Sequence, residues 1–541
     1  MNHSVSSDRV LGACAAARLA AVALAALAHS AVHAAELTPV ISEGDAAPGF
    51  EAGATIGLLN EVTLPTRLAP DGTVTFGAVV RRPNGSSVHA IFRHRGGQTE
   101  LLFRAGEQAP GSGRRMFTGF PFFPDPPHSN GGVTTFIASV ADSPSSIQSI
   151  GVWSDRSGSF DRLVLAGDSL DAIPPGEGLA EFGVLARGTA TVLSGRFSRN
   201  GSLVNENNGV WRDRGNGFRA VAVKGMAAPG VPGARFDGDT PGRGTVSSLA
   251  ARSDGMLLFQ AWIDGGSVND DTDEGLWLED GSGLRLLARE GQRVFHPQLG
   301  RRGATFGPTS ATVPTFGGDS ENLPPAVNDA GQAIFGAVLR SKAGRSASVW
   351  TTRSGAPRLL TLGSLGLVGS GPASPAPGLG TGVSFAAFHG SAINDRGDIA
   401  FFASARRPGT LQFTPGVWWD APGALSLVTA VGRPVAAIPG GTIAAIESLE
   451  DLTEGPEIVI VARIALPGAA GSARAVLRGT PGAAGPAVVV RTGESVLIDG
   501  TGFTISDLLP GRGVSDDGRV VALLEFDRRP RGLYLARIAD R

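Results

Sequence analysis

Apolar positions fall in short continuous runs, QAIFGAVL and DIAFFASA among them, and each run follows a polar turn. Runs of that length, bounded by Gly and Asp, predict strands buried on both faces, and no stretch sustains a helical period. One turn–strand signal recurs. Asn328-Asp329-Ala330-Gly331 and Asn394-Asp395-Arg396-Gly397 precede the two runs, with Phe335 and Phe401 four residues past each Gly. The same spacing joins Gly72 to Phe76, Gly132 to Phe136 and Gly255 to Phe259; weaker copies are Gly188 with Val192, Gly455 with Val459, and Gly518 with Ala522. The eight copies lie 60, 56, 67, 76, 66, 58 and 63 residues apart. Asn or Asp caps its own turn, and Gly supplies the positive φ of a tight hairpin.

Two more signals follow in fixed order. An aliphatic–aromatic pair marks the next strand: Ile91-Phe92, Val152-Trp153, Val210-Trp211, Leu276-Trp277, Val349-Trp350, Val417-Trp418, Val476-Leu477 (its aromatic lost) and Leu533-Tyr534. A short apolar strand then ends in Gly, as at Gly106, Gly167, Gly225, Gly291, Gly363, Gly432 and Gly493; Gly44 ends an eighth copy. An apolar stretch before each turn completes four strands per repeat, A to D. This predicts an all-β, eight-bladed β-propeller with four antiparallel strands per blade. The last repeat ends after strand C, near Tyr534, and the first D strand stands alone at residues 37–44. Pairing the two closes the ring by joining the N-terminal strand to the last blade, and removes an exposed edge. The expected organisation is one propeller domain over residues 35–541, with repeats near 45–106, 107–167, 168–225, 226–291, 292–363, 364–432, 433–493 and 494–541 plus 37–44.

Residues 1–34 read as a signal peptide. Arg9 and Arg18 precede the apolar run LAAVALAALA, and Val32-His33-Ala34 offers small residues at the −3 and −1 positions. The expected location is secreted or periplasmic. No second long apolar run follows, so no transmembrane segment is expected in the mature chain. The only cysteine, Cys14, lies within the leader, which excludes disulfides and thiolate metal sites thereafter. Among 541 residues, 78 are Gly and 36 Pro, without the strict period of collagen. Net charge is −2, and no basic run marks a nucleic-acid footprint. A monomer is expected.

Turns A–B and C–D are short and uniform. Length variation lies in the D–A excursions, near 108–131, 292–326 and 365–390, and in the B–C excursions, near 264–274 and 406–415. Long loops on a rigid scaffold are the usual place for function, so this side is the expected interaction face. Its candidates are Arg114, Arg115, Phe117, Phe122, Phe123 and His128, then Phe295, His296, Arg301 and Arg302. Mixed aromatic and cationic side chains suit stacking and hydrogen bonding to a sugar or peptide. The competing reading tucks the Phe residues onto the strands as core. Asp270, Asp271 and Asp273, with Asp264 and Glu274, form an acidic B–C loop. It lacks calcium-loop spacing, so it reads as a solvated loop and only a weak metal candidate. Arg396-Gly397-Asp398 matches an adhesion tripeptide, but it lies inside a repeat turn that accounts for it.

No G-x-S-x-G elbow, P-loop or HExxH motif occurs, so no catalytic residue is assigned and no cofactor is expected. The NDxGxxxF turn–strand, the Val-Trp strand and the G-D-x-A-P-G ending resemble bacterial exported tandem-repeat proteins of unknown function, of the choice-of-anchor type. The resemblance covers most of residues 37–540 and implies export, but no activity. Those proteins often carry a C-terminal sorting anchor, which does not precede Arg541 here. The functional expectation is a binding or scaffold module for an unidentified glycan, peptide or protein. The alternative is a propeller hydrolase or lyase acting on extracellular polysaccharide.

Overall fold

The computed structural model describes residues 36–537 except 60–65, 120–127, 144–147, 188–189, 200–206, 238–245, 280–282, 308–314, 317–322, 366–370, 422–423, 437 and 470. The leader therefore lies outside the described residues, as do Gly188, Phe120, Phe122 and Phe123.

The repeat turns are tight hairpins. Gly72, Gly132, Gly255, Gly331, Gly397 and Gly518 take φ between +77° and +81°, a region costly for a residue with Cβ. Gly455, the weak seventh copy, does not. Asn328 Oδ1 accepts from the N–H of Gln332 at 2.8 Å, and Asn394 Oδ1 from Asp398 at 2.9 Å, so each Asn does cap its own turn.

The fold is all-β: the described residues hold strands and one 3-10 turn, Pro297–Leu299. Seven sheets follow one another, and every pairing is antiparallel except one parallel bridge, Arg67 to Arg512. Sheet one has ten strands and contains the first and last described strands, Glu36–Ser42 and Gly532–Arg537. Sheets two to seven span residues 116–165, 178–223, 235–289, 293–363, 384–430 and 442–491. Glu36–Ser42 pairs antiparallel with Gly532–Arg537, from Glu36 opposite Arg537 to Ser42 opposite Gly532. This is the pairing that the surplus and missing D strands call for.

The apolar core lies between successive sheets. Val152 and Val164 of sheet two pack with Leu179, Leu193 and Trp211 of sheet three; Val349 of sheet five packs with Phe385, Phe401 and Trp418 of sheet six. Burying both faces of each sheet this way supplies the main stabilisation. Backbone bonds stitch each D strand to the sheet that follows it. Gly106 N–H donates to Phe117 O at 2.7 Å, Gly225 to Phe236 at 2.8 Å, and Gly432 to Ile443 at 2.8 Å.

Two sequence signals turn out to be partners. Trp153 Nε1 donates to Pro110 O at 3.0 Å, Trp277 to Pro229 at 3.0 Å, and Trp418 to Pro377 at 3.1 Å. Each Pro is the centre of an Ala-Pro-Gly turn. The indoles are fully buried, so satisfying Nε1 matters. A Gly two residues before the aromatic makes room for it: a Cβ on Gly275 would sit 2.5 Å from the six-membered ring of Trp277, and one on Gly151 2.5 Å from that of Trp153.

Candidate functional site

Each sheet has two ends, and like ends of neighbouring sheets meet. At the A–B turn end, the Ser253 amide donates to Asp329 Oδ1 (2.7 Å), Asp329 N–H to Asp395 Oδ1 (2.7 Å), and Asp395 N–H to Glu454 Oε1 (3.2 Å). Ion pairs span the same end: Arg93–Asp155 at 2.6 Å, Arg156–Asp213 at 3.0 Å and Arg353–Asp420 at 2.8 Å. Asp398 of the adhesion-like tripeptide is buried here and paired with Arg396, so the repeat turn accounts for it.

The other end carries the D–A and B–C excursions. Leu58, Phe295, Leu411 and Leu497 are the large apolar side chains exposed among the described residues, and all four lie in excursions of this end. Leu58 is on Thr55–Leu58 and Leu497 on Ser495–Ile498, both leading toward an A strand; Leu411 is in the B–C loop of sheet six.

The predicted residues divide. Arg114 is exposed, and Arg115 lies 3.8 Å from Asp142. Phe117 is a correction: it is 1% exposed, with its ring 4.9 Å from those of Phe103 and Trp153. It belongs to Met116–Gly119, whose pairing with Val133–Ala141 points the ring into the core and away from any ligand. His128 pairs with Thr135 through the backbone. Phe295 is 68% exposed. Its ring lies against Gly303, where a Cβ would come within 3.0 Å, and the Arg293 guanidinium is 5.9 Å from its centroid. His296 caps the Pro297–Leu299 turn, with Nδ1 accepting from Gln298 N–H at 3.4 Å. Arg301 and Arg302 are exposed in the same excursion. Phe295, Arg301 and Arg302 are thus exposed in one excursion, while His296 has a structural task.

In the acidic loop, Asp270 and Asp271 are exposed, and Asp271 reaches Arg340 at 3.3 Å. Among the described residues no three His, Cys, Asp or Glu side chains converge as a ligand set. Glu274, which the sequence counts among the solvated loop carboxylates, is instead buried. It accepts from Thr315 N–H at 2.7 Å, Phe316 N–H at 2.9 Å and Gln260 Nε2 at 2.5 Å. The first two fasten a D–A excursion of sheet five to sheet four. Burial outweighs those bonds and pushes the Glu274 carboxyl up to about 7. Glu290 lies across the strand pair, its N–H donating to Glu274 O at 2.8 Å. It is also buried, and one of its carboxyl oxygens has no hydrogen-bond partner. Burial first, then the neighbouring Asp273 and Glu274, raise its proton affinity well above the usual carboxylate range. Their adjacency depends on strand pairing between residues sixteen positions apart, which no local motif encodes.

A family model described as a family of unknown function, DUF7453, matches residues 17–293 and 297–529. No curated protein sequence matches. Among solved structures, the chain is similar to a Mycobacterium tuberculosis puromycin-hydrolyzing peptidase (13% identity, TM-score 0.33, 90% of this chain); it spans 62% of that peptidase's length. It is also similar to the β-propeller domain of the Trilobed protease from Pyrococcus furiosus (9% identity, TM-score 0.34, 77% of this chain and 98% of that one). A third is the polysaccharide lyase Uly1 (11% identity, TM-score 0.32, 94% and 98%).

Proposed function

The chain belongs to the DUF7453 family of unknown function, and we propose that it is an exported eight-bladed β-propeller that binds or scaffolds a glycan, peptide or protein through its D–A/B–C face. In this reading the two halves of sheet one, each four strands with one more (Thr55–Leu58 or Ser495–Ile498) beside them, are separate blades, and the Glu36–Ser42 pairing with Gly532–Arg537 closes the ring. The observation that carries the functional reading is that, among the described residues, the exposed large apolar side chains are confined to the D–A and B–C excursions. Exposed apolar groups on a rigid scaffold mark interaction sites. The opposite end spends its polar groups on bonds between neighbouring sheets and offers uniform turns. A glycan and peptide screen on the purified protein tests the reading: bound ligands should be displaced by Phe295→Ala or Leu411→Ala. Binding that survives both substitutions and is lost by changing A–B turn residues would refute it.

A specific observation keeps the hydrolase or lyase reading. The A strands, innermost in a propeller, carry ionisable side chains: His389 on Ser384–Ile393, and Glu447 on Thr442–Leu452 with Arg463 and Arg474 each at 2.8 Å. Carboxylates and His suit acid–base work. New reducing ends or unsaturated uronates after incubation with polysaccharide would establish it, and their absence across neutral and acidic glycans would dismiss it.

A further inference from the structure

The D–A/B–C end is electrically lopsided. Residues 293–302, 340–346 and 404–413 hold eight Arg or Lys and not one Asp or Glu. The neighbouring B–C loop of sheet four is acidic at Asp264, Asp270 and Asp271. The cations belong to sheets five and six, and strand pairing lines several of them up. Arg293 is opposite Thr305, Thr305 opposite Arg340, and Arg340 opposite Arg345. Strands lie about 4.8 Å apart, so this row spans roughly 14 Å. Lys342 caps it at the hairpin tip. Sheet six continues the surface: Arg406 donates to Ser364 Oγ at the end of sheet five (3.3 Å), and Ser374 Oγ donates to Gln298 Oε1 (3.2 Å).

Arg293, Arg301, Arg302, Lys342 and Arg407 are exposed, and among the described residues none has a carboxylate partner. Arg340 of the row pairs with an acid, Asp271 of sheet four. Phe295, two residues past Arg293, has its ring open to solvent and lying over Gly303, with the Arg293 guanidinium 5.9 Å from its centroid. An exposed ring beside one guanidinium, with two more exposed arginines in the same excursion, has both elements needed to hold an acidic sugar. The apolar face of a pyranose stacks on the ring, and planar carboxylate or sulfate groups accept paired N–H bonds from Arg.

We propose that this surface of sheets five and six binds an anionic polysaccharide, one bearing uronate or sulfate groups, with Phe295 as stacking platform and Arg293, Arg301, Arg302 and Lys342 as the anion contacts. The inference rests on the binding reading above and names its ligand class. The acidic loop of sheet four fixes the direction: a polyanion crosses from sheet five toward sheet six and is repelled from sheet four. Coulomb attraction across an exposed surface is screened within about 10 Å at 0.1 M salt, so the affinity is salt-dependent.

Matched probes test it with the full chain: dextran sulfate against dextran, polygalacturonate against its methyl ester, and duplex DNA. The charged member of at least one sugar pair should bind tenfold or more tightly than the uncharged one, and more weakly as salt rises. Which pair responds separates sulfate from carboxylate. Arg293→Ala/Arg301→Ala/Arg302→Ala should weaken that binding at least tenfold, and Phe295→Ala severalfold. Arg219→Ala, an exposed cation at the opposite end, should leave it unchanged. Should the triple variant melt early, the single changes Arg302→Gln and Lys342→Gln are read instead. Equal binding of charged and uncharged sugars, or indifference to these substitutions, overturns the proposal. Duplex DNA bound as tightly as the acidic glycan, and unaffected by Phe295→Ala, overturns the sugar assignment. A neutral glycan or a peptide bound elsewhere on this end would sink this inference and leave the binding-module reading standing.

Discussion

The indole N–H of Trp277 donates to the carbonyl of Pro229, 48 residues earlier in the chain, at 3.0 Å. The Ala-Pro-Gly turn leaving one sheet is thereby fastened to the buried aromatic of the next. Gly230, with φ of +87°, lies so close to Leu286 that a Cβ would sit 2.8 Å from the Leu Cβ. The space around the aromatic is equally tight on its other side, which leads to the first expectation.

Gly275→Ala should destabilise the protein by about 1–3 kcal/mol, the usual cost of forcing a methyl into a packed core. The added Cβ meets the Trp277 ring at 2.5 Å, and the indole cannot yield without losing Pro229. Urea unfolding measures the cost, and near-UV circular dichroism reports the displaced indole. Gly217→Ala is the contrast: its Cβ meets nothing within 4 Å, so only the cost of its positive φ remains.

Removing residues 36–44 should lower the melting temperature sharply and promote aggregation. The deletion strips Gly532–Arg537 of its outer partner, leaving only Val520–Phe526 on its other side, and exposes the core that Val40 and Ile41 cover. Thermal melts and size-exclusion profiles decide; an unchanged melting temperature would mean that the pairing contributes nothing.

Arg156→Ala should cost about 1–3 kcal/mol, since it removes bonds to Asp213 and Thr191, both 3.0 Å, and leaves the Asp213 carboxylate nearly buried. Arg82→Ala breaks an exposed pair with Glu51 and should leave the unfolding midpoint where it is. Finding equal effects for the two would contradict the role given to burial.

Stability should fall as pH rises above the ordinary carboxylate range. Glu274 and Glu290 both hold their protons more tightly folded than unfolded. The folded state therefore binds more protons, and each group contributes a loss of up to about 1.4 kcal/mol per pH unit between its unfolded and folded values. For Glu274 that window runs from 4.5 to about 7. Glu290→Gln removes one of these titrations and should raise stability at pH 8 while flattening the slope. Urea melts from pH 5 to pH 9 supply the comparison.

Much of the strand order was legible because turns and strand ends are local. Asn328, Gly331 and Phe335 encode a hairpin within eight residues. The Trp–Pro contacts were visible only as two separate repeats, since the residues that meet are more than forty positions apart. Phe117 and Phe295 look alike in sequence, each an aromatic beside arginines after an Ala-Pro-Gly or Gly-Gln turn. One continues into a strand paired with the sheet and is buried; the other follows a two-residue strand and is exposed. Glu274 read as one more loop carboxylate because its acceptor role depends on amides 41 and 42 residues away.

The pairing of the first strand with the last also fixes how the molecule answers a pull. Glu36 lies opposite Arg537, and the two strands run antiparallel from there to Ser42 and Gly532. Force applied through the two ends of the fold loads that seam at its open tip, one pair of residues at a time, as a zipper is opened. It does not shear all the bonds at once. The seam joining the ends is thus the line that such a pull loads first. A tether on either side would peel it before straining the arginine-lined excursions of sheets five and six.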